Sequence, residues 1–283
     1  MHYKTILVHV DDTPNAGLRY GVAARLAQWA QAQLVGLAST GLTRFIRETM
    51  ALDFANPAIA PYLDTMRTRA ARSLDDLARA AEAHGVAAPE RRQTDDEPYS
   101  SLGALAAYSD LCILGLHGGP LRPDGQPRHM GADLAAASGC PVLLIPDGAQ
   151  PLPAQAGSPF QRILLGWNAS REASRVLHFS LPMLQAASMV TVALVGDALD
   201  SGPGIRPAHE IVEFLRRHGV RSQTALREDD NDAGEALLSL AEVQQCDLIA
   251  MGCYGHSRVR ELLLGGATRT VLTGTHLPVL MAA

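Results

Sequence analysis

The residues whose type and spacing point to chemistry in this chain are glycines. Near the carboxyl terminus, Gly252, Gly255, Gly265 and Gly266 follow one another with Gly-x2-Gly-x9-Gly-Gly spacing. Glycine lets a backbone turn sharply and approach a ligand closely, because it has no Cβ. The last two glycines precede a segment with helical periodicity, and the first amides of a helix are unpaired and favour negative charge. The pattern therefore predicts a site where backbone N–H groups bind phosphate.

The glycines lie in a segment that alternates apolar strands with amphipathic helices. The pattern predicts strands at 162–167, 189–195, 220–226, 248–251 and 279–281, and helices at 171–185, 207–218, 233–245 and 266–275. Strands that alternate with helices form parallel sheets covered on both faces. We therefore expect a doubly wound, five-stranded, Rossmann-like α/β domain, whose ligand binds at the carboxyl ends of the strands, where the strand order reverses.

The same pattern occurs earlier in the chain. The segment that begins at Asp110 and ends at Gly115 resembles the one from Asp247 to Gly252, at an offset of 137 residues, and a Pro-Val-Leu strand follows each copy. Such order-preserving matches indicate a duplication. We predict two tandem α/β domains at residues 1–147 and 161–283, joined by a proline-rich linker at 148–160.

The second copy resembles the universal stress protein family. The glycine motif, together with the preceding strand that begins at Asp247 and the following Pro-Val strand, is similar to the ATP-binding signature of that family. The segment that runs from Gly166 to Ser170 also looks like a family variant. The resemblance extends over both copies, and it implies a tandem, UspA-like member of the family.

The resemblance implies that the second copy binds ATP or a similar adenine nucleotide, with or without Mg²⁺. Carried over residue by residue, it places Gly252 and Gly255 beside the ribose and phosphates. The adenine and ribose would contact Gly166, Trp167, Asn168 and Val195, and the phosphates would contact the amides of Gly265, Gly266 and Ala267. Met251 and Thr268 complete this set of expected contacts.

Two residues of the second copy depart from the family pattern. Gly266 stands where ATP-binding members usually have Ser or Thr, so a hydroxyl is missing. A hydrogen bond to a charged group is worth about 1.5–3 kcal/mol, and Thr268 could partly replace it. Asn168 stands where the family often has Asp; an amide can still bond a ribose hydroxyl but attracts a metal ion less.

The signature is broken in the first copy. Arg128 and His129 stand opposite Gly265 and Gly266, after a loop that contains three prolines. We therefore expect this copy to bind no nucleotide and to serve as a partner surface. As the alternative, Arg122, Arg128 and His129 could hold an anion through their side chains.

Composition limits the other functions. The 283 residues include 24 Lys and Arg against 29 Asp and Glu, a net charge of −5, so we expect no nucleic acid partner. No apolar run approaches the roughly 18 residues of a membrane helix, and no signal-peptide pattern occurs, which predicts a soluble, cytoplasmic protein without a membrane partner. The four cysteines lack metal or disulfide spacing and are expected to be free thiols.

Three functional hypotheses follow. The first is a stress-related protein whose second copy binds an adenine nucleotide as a regulatory or assembly switch. The second is a two-domain interaction module that binds no nucleotide. The third is a slow ATPase; no Walker, HExxH or GxSxG motif supports turnover, so we expect weak ATP hydrolysis at most. In the family the domains often pair through their last strands, which predicts that 142–145 and 279–281 meet within one chain, with a homodimer as a further possibility.

Overall fold

A computed structural model describes residues 3–43, 59–116, 130–152, 157–196, 207–227, 232–253 and 266–283. In chain order the N-terminal half contains β1 (Thr5–Val10), α1 (Ala16–Ala30), β2 (Gln33–Ser39), α2 (Ile59–Ala83), β3 (Glu90–Thr94), α3 (Pro98–Ala106), β4 (Leu111–Gly115), α4 (Met130–Ser138) and β5 (Val142–Ile145). The C-terminal half contains β6 (Arg162–Gly166), α5 (Arg171–Ala186), β7 (Met189–Val195), α6 (Pro207–Arg217), β8 (Ser222–Arg227), α7 (Ala233–Val243), β9 (Leu248–Gly252), α8 (Gly266–Gly274) and β10 (Val279–Ala282).

The ten strands form one sheet in the order β3-β2-β1-β4-β5-β10-β9-β6-β7-β8. Each half contributes five parallel strands in the same relative order. The halves meet where β5 pairs antiparallel with β10, and Leu143 lies opposite Leu280 at the centre of the register. This pairing confirms the predicted meeting of the last strands. It also covers two strand edges that would otherwise be free to pair with another chain.

Two clusters of buried residues cover the two faces of the sheet, and successive residues of a strand alternate between them. In β6, Ile163 and Leu165 belong to the first cluster, whereas Leu164 belongs to the second. Helices α1, α2, α5 and α6 pack on the first face, and α3, α4, α7 and α8 pack on the second. Each cluster contains residues from both halves, so the two halves share the core on each face of the sheet.

Each half uses an aspartate to align its first and fourth strands. The carboxylate of Asp110 accepts hydrogen bonds from the amides of Lys4 and Thr5, at 2.7 and 2.9 Å. The carboxylate of Asp247 accepts from the amides of Gln161 and Arg162, at 2.6 and 3.0 Å. The Asp that opens both copies of the repeated motif therefore sets the same strand register twice.

Local signals define helix ends at both edges of the sheet in the C-terminal half. The Ser170 hydroxyl accepts a hydrogen bond from the Ala173 amide at 3.1 Å and caps the start of α5. After α6, Gly219 adopts a φ of 73°, the left-handed conformation predicted for its C-terminal glycine. Among the described residues, no helix is long and apolar enough to cross a membrane.

Candidate functional site

The carboxyl ends of β6 and β9 form the point where the strand order of the C-terminal half reverses. From β6 the chain adds β7 and β8 on one side, and it returns to place β9 on the other side. The two strands are in register with Leu165 opposite Ala250, so they end at Gly166 and Gly252 respectively. Doubly wound sheets bind ligands at this kind of crevice.

Gly166 leaves space on the α7 side of the sheet. A Cβ built at this residue would lie 3.5 Å from both Leu237 Cδ2 and Met251 Cβ, which is ordinary van der Waals contact. Val195, at the end of β7, packs against the same buried cluster as Leu237 and Met251. Gly166 and Met251 therefore lie side by side, and Val195 packs on the same cluster; Gly166 and Val195 are two of the residues that the family resemblance places around the adenine and ribose.

Gly252 is required for a different reason. A Cβ here would lie 2.7 Å from the Ala173 amide nitrogen and 2.8 Å from Glu172 Cβ, in the first turn of α5. No real Cβ tolerates contacts this short with backbone atoms, so only glycine lets α5 pack at the end of β9. The position of Gly252 beside the crevice agrees with the expectation, but helix packing alone already explains its residue type.

The start of α8 provides the unpaired amides. Gly266 is the first residue of this helix and is exposed, and a Cβ there would meet no atom of the described residues within 4 Å. The first amides of any helix, here from Gly266 onward through Ala267, have no partner within it. Thr268 is 4% exposed, which leaves little of it accessible to replace the missing hydroxyl. Gly255 and Gly265 lie outside the described residues, as do Arg122, Arg128 and His129 of the first copy.

Trp167 is placed apart from the other expected contacts. Its indole packs against the buried cluster on the α5 side of the sheet, together with Ile163 and Leu165. The indole Nε1 is buried and has no hydrogen-bond acceptor among the described residues. Gly166, Val195 and Met251 lie on the other face, so the structure does not bring Trp167 to that side of the sheet. The sequence alone contains this information, because side chains alternate along a strand and residues 163, 165 and 167 therefore share one face.

Asn168 lies at the crevice and is exposed. Its Oδ1 accepts a hydrogen bond from the Ser170 amide at 3.1 Å. This bond orients the side chain in the turn that leads into α5.

Asp232 joins the starts of α7 and α8. One carboxylate oxygen accepts from the Gly234 amide at 2.7 Å, and the other accepts from the Thr270 hydroxyl at 2.6 Å. The Thr270 hydrogen bond is the main cause that lowers the pKa of Asp232, although some burial opposes it. Asp232 is the N-cap of α7, and its sequence position gives no sign that the same carboxylate also contacts α8.

The equivalent crevice of the N-terminal half is filled. His9 occupies the place of Gly166 and is 8% exposed, on the same face of the sheet as Leu7. Its Nδ1 lies 3.3 Å from Asp11 Oδ2. Arg19, which is 3% exposed, places Nη2 2.7 Å from Asp11 Oδ1, close enough for an ion pair although off the line of a hydrogen bond.

Electrostatics hold this N-terminal cluster in one protonation state. Burial, reinforced by Arg19, lowers the pKa of His9 to about 4, so the imidazole is neutral at physiological pH. Burial opposes ionisation of Asp11, but Arg19 and His9 outweigh it and lower the pKa of this carboxyl. The Thr13 hydroxyl donates to Asp11 Oδ1 at 2.6 Å. None of these three residues, His9, Asp11 and Arg19, stands in a sequence motif that would mark it as part of a buried cluster.

Cysteine and metal chemistry are not indicated in the described parts of the chain. Each of the four cysteines is a buried, free thiol, as predicted. Burial raises the pKa of the Cys253 thiol to about 12, which keeps it protonated. No group of three or more His, Cys, Asp or Glu side chains that could hold a metal ion occurs among the residues that the structure describes.

The fold and the two strand ends define the class: a doubly wound α/β protein whose two equivalent strand ends carry a glycine, Gly166, in one half and a buried histidine, His9, in the other. Comparison with known proteins gives the family. Residues 159–283, the C-terminal half of the chain, match the model of the universal stress protein family.

Individual relatives agree with this assignment. A universal stress protein of Synechocystis sp. is 26% identical over 172 residues, which cover 60% of this chain and 57% of that protein. The crystal structure of a universal stress protein from Archaeoglobus fulgidus covers 98% of this chain and 95% of its own, with 17% identity and a TM-score of 0.74. A functionally unknown protein from Pseudomonas aeruginosa PAO1 covers 99% and 92%, with 16% identity and a TM-score of 0.62. At such identities the two structures bear on the fold alone.

Proposed function

We propose that the C-terminal half binds ATP or a similar adenine nucleotide, and that its occupancy acts as a regulatory or assembly switch in a stress response. The observation that carries this proposal is Gly166 at the carboxyl end of β6, which places no side chain where the strand order reverses and lies in the same half as the exposed start of α8. An apolar wall beside a few convergent polar groups is the usual make-up of a small-molecule site.

The residues present fit an adenine nucleotide. A ring bound beside Gly166 would lie against apolar side chains, because Leu237 and Met251 are buried there and Val195 packs on the same cluster. Asn168 offers an amide to the ribose, and the unpaired amides at the start of α8 suit a phosphate. The role of these groups is to bind and orient the nucleotide, and to exclude water from one face of the ring.

Helix α5 gives the site a physical link to the N-terminal half. Its first turn packs directly on Gly252. Further along the same helix, the Phe179 carbonyl accepts a hydrogen bond of 2.6 Å from the Tyr3 hydroxyl of the N-terminal half. A shift of α5 on nucleotide binding would therefore reach the interface between the halves. This connection supports a role as a switch.

Calorimetry with ATP and Mg²⁺ tests the proposal on three proteins. We expect the wild type to bind with a Kd of about tens of micromolar or lower, equivalent to about −6 kcal/mol or better. Gly266→Asp should abolish binding, because it adds a negative charge at the start of α8, where an acidic residue also favours the helix itself. Gly266→Ser restores the hydroxyl that the family usually has, and it should tighten binding about tenfold or more.

The alternative function, a two-domain interaction module without a nucleotide, predicts different results. Its supporting observations are the missing hydroxyl at Gly266 and the placement of Trp167 away from the crevice. Mass spectrometry of protein purified without added ligand separates the two functions, because a co-purified adenine nucleotide is not expected of a pure scaffold. If the wild type binds no ATP and carries no nucleotide, the proposed function is wrong. If the wild type does bind ATP, light scattering with and without ATP measures whether binding changes the oligomeric state, which tests the assembly switch.

A further inference from the structure

The ten-stranded sheet ends in two free edges, and these edges differ in charge. Among the described strands, β3 pairs only with β2, and β8 pairs only with β7. An exposed edge strand can pair with another chain, and charged side chains are a usual protection against such pairing. β3 contains Glu90, Arg91 and Arg92, whereas β8 is uncharged from Ser222 through Leu226. By this criterion the edge of the N-terminal half is protected and the edge of the C-terminal half is not.

The free side of β8 presents backbone groups that have no partner within the described residues. The Val190 amide of β7 donates to the Arg221 carbonyl at 2.9 Å, so Arg221 faces β7. Successive residues of a strand direct their N–H and C=O groups to opposite sides, and Ser222, Thr224 and Leu226 therefore direct theirs away from β7. The side chain of Leu226 is also unusually accessible for a leucine, at 53% exposure. This edge is thus ready to accept a further strand.

The arrangement of these groups fits a second copy of the same strand. The chain already joins its own halves by antiparallel pairing of β5 with β10. If two β8 strands pair in the same way about a twofold axis at Thr224, Thr224 lies opposite its own copy and Ser222 lies opposite Leu226. All three residues direct their backbone groups to the free side, so this register forms about six hydrogen bonds between the copies. A twofold interface requires this kind of self-complementarity.

We propose that β8 is an interface between two copies of this chain, paired antiparallel about Thr224, so that two ten-stranded sheets form one continuous sheet. The same register places Arg221 opposite Arg227 of the other copy at each end of the contact. Like charges directly opposite each other destabilise a strand pair, so the dimer is weak and added salt strengthens it. The proposal does not depend on nucleotide binding by the C-terminal half.

Sedimentation velocity over a range of protein concentrations, without added nucleotide, tests this interface. We expect the wild type to dimerise with a Kd of about 100 μM or lower, as for other small, transient interfaces. Thr224→Pro should weaken the dimer at least about tenfold, because it removes the N–H group at the axis from each copy. An edge strand accepts proline where the N–H faces solvent, so the variant should fold. Thr224→Lys is a second variant, which keeps the backbone N–H and places two like charges across the axis.

Arg227→Glu tests the register by changing the affinity in the opposite direction. It replaces the two like-charge pairs with two opposite-charge pairs, and it should tighten the dimer at least about fivefold. Added salt should weaken the dimer of this variant, whereas it should strengthen the dimer of the wild type. A nonspecific association through β8 gives no reason for this reversal.

Gln93→Lys is the matched control on the other free edge. The Thr94 carbonyl accepts from the Thr40 amide at 3.0 Å, so Thr94 faces β2 and Gln93 directs its backbone groups outward. A lysine on this protected edge should leave the Kd of the dimer within about twofold of the wild type. A wild type that stays monomeric at every concentration would overturn the proposal. So would a dimer that both Thr224 variants leave intact, or one that Arg227→Glu fails to tighten. None of these outcomes bears on the proposed nucleotide site, which calorimetry measures separately.

Discussion

The two halves of the sheet share a backbone plan and differ in the side chains at one point. β1 and β6 occupy equivalent places, and Asp110 and Asp247 align them in the same way. At the carboxyl end, however, β1 carries a buried histidine where β6 carries Gly166. The fold alone therefore does not determine whether this crevice can hold a ligand. Side chains at the strand end decide whether it is open to a ligand or filled by the protein itself.

Filling the N-terminal crevice with charged groups makes that half sensitive to single changes. A buried ion pair contributes little net stability, because desolvation offsets the attraction between the charges. Removing one partner is far more costly than removing both, since a buried charge is then left without compensation. Gly166 places no charged side chain at the equivalent point, so this cost does not arise there. The halves should therefore respond very differently to equivalent substitutions.

The largest expected difference concerns Asp11 and its counterpart Asn168. Asp11→Asn removes the charge that compensates Arg19, which is 3% exposed, and should lower the free energy of unfolding by about 3–5 kcal/mol. The exchange Asn168→Asp at the exposed equivalent residue should change it by less than about 0.5 kcal/mol. Urea denaturation of the two variants measures both values. Similar costs for the two would show that the N-terminal cluster is not energetically distinct.

A second difference concerns pH, because only the N-terminal half places a histidine at the strand end. His9 has its pKa lowered from 6.5 to about 4 in the folded protein, chiefly by burial. As the pH falls below 6.5, the unfolded chain binds a proton that the folded protein does not bind, so stability decreases. The decrease should end near pH 4 and total about 3 kcal/mol.

The variant His9→Gln isolates this pH effect. Denaturation of the wild type and the variant at several pH values between 4 and 7 gives the difference in slope, in which the titration of all other groups cancels. We expect the stability of the wild type to fall more steeply than that of the variant over this window. Parallel curves would mean that the imidazole is not held neutral by its surroundings.

The sequence predicted the elements around the open crevice well. The helix predicted at 171–185 is α5 (Arg171–Ala186), and the strand predicted at 189–195 is β7 (Met189–Val195). These segments have clear periodicity and local signals such as Ser170 and Gly219. The fold class followed for the same reason, since the alternation of strand and helix largely dictates a doubly wound sheet.

The sequence did not reveal which side chains fill the N-terminal crevice. Arg19 lies within α1, where an arginine is ordinarily expected on the exposed face, and only tertiary contact with Asp11 explains its burial. The acidic run before α3 gave a misleading parallel to Asp232. Glu97 occupies the cap position of α3, but its side chain accepts no capping hydrogen bond, and Asp95 pairs with Arg67 instead.

The most direct test of the difference between the halves is to place the histidine found at the end of β1 at the equivalent glycine of β6. Gly166→His places an imidazole where β1 has His9; a Cβ at this residue makes only ordinary contacts, at 3.5 Å, and the ring beyond it would displace Leu237 or occupy the space beside it. We expect ATP affinity measured by calorimetry to fall at least about a hundredfold, or about 2.7 kcal/mol, since the ring occupies the space proposed for the ligand. Gly166→Ala is the matched control, and it should retain affinity within about threefold. Unchanged binding by Gly166→His, in a variant that melts like the wild type, would show that the ligand does not enter between β6 and α7. An equal loss in both variants would instead indicate that the backbone at Gly166, rather than the free space beside it, contacts the nucleotide.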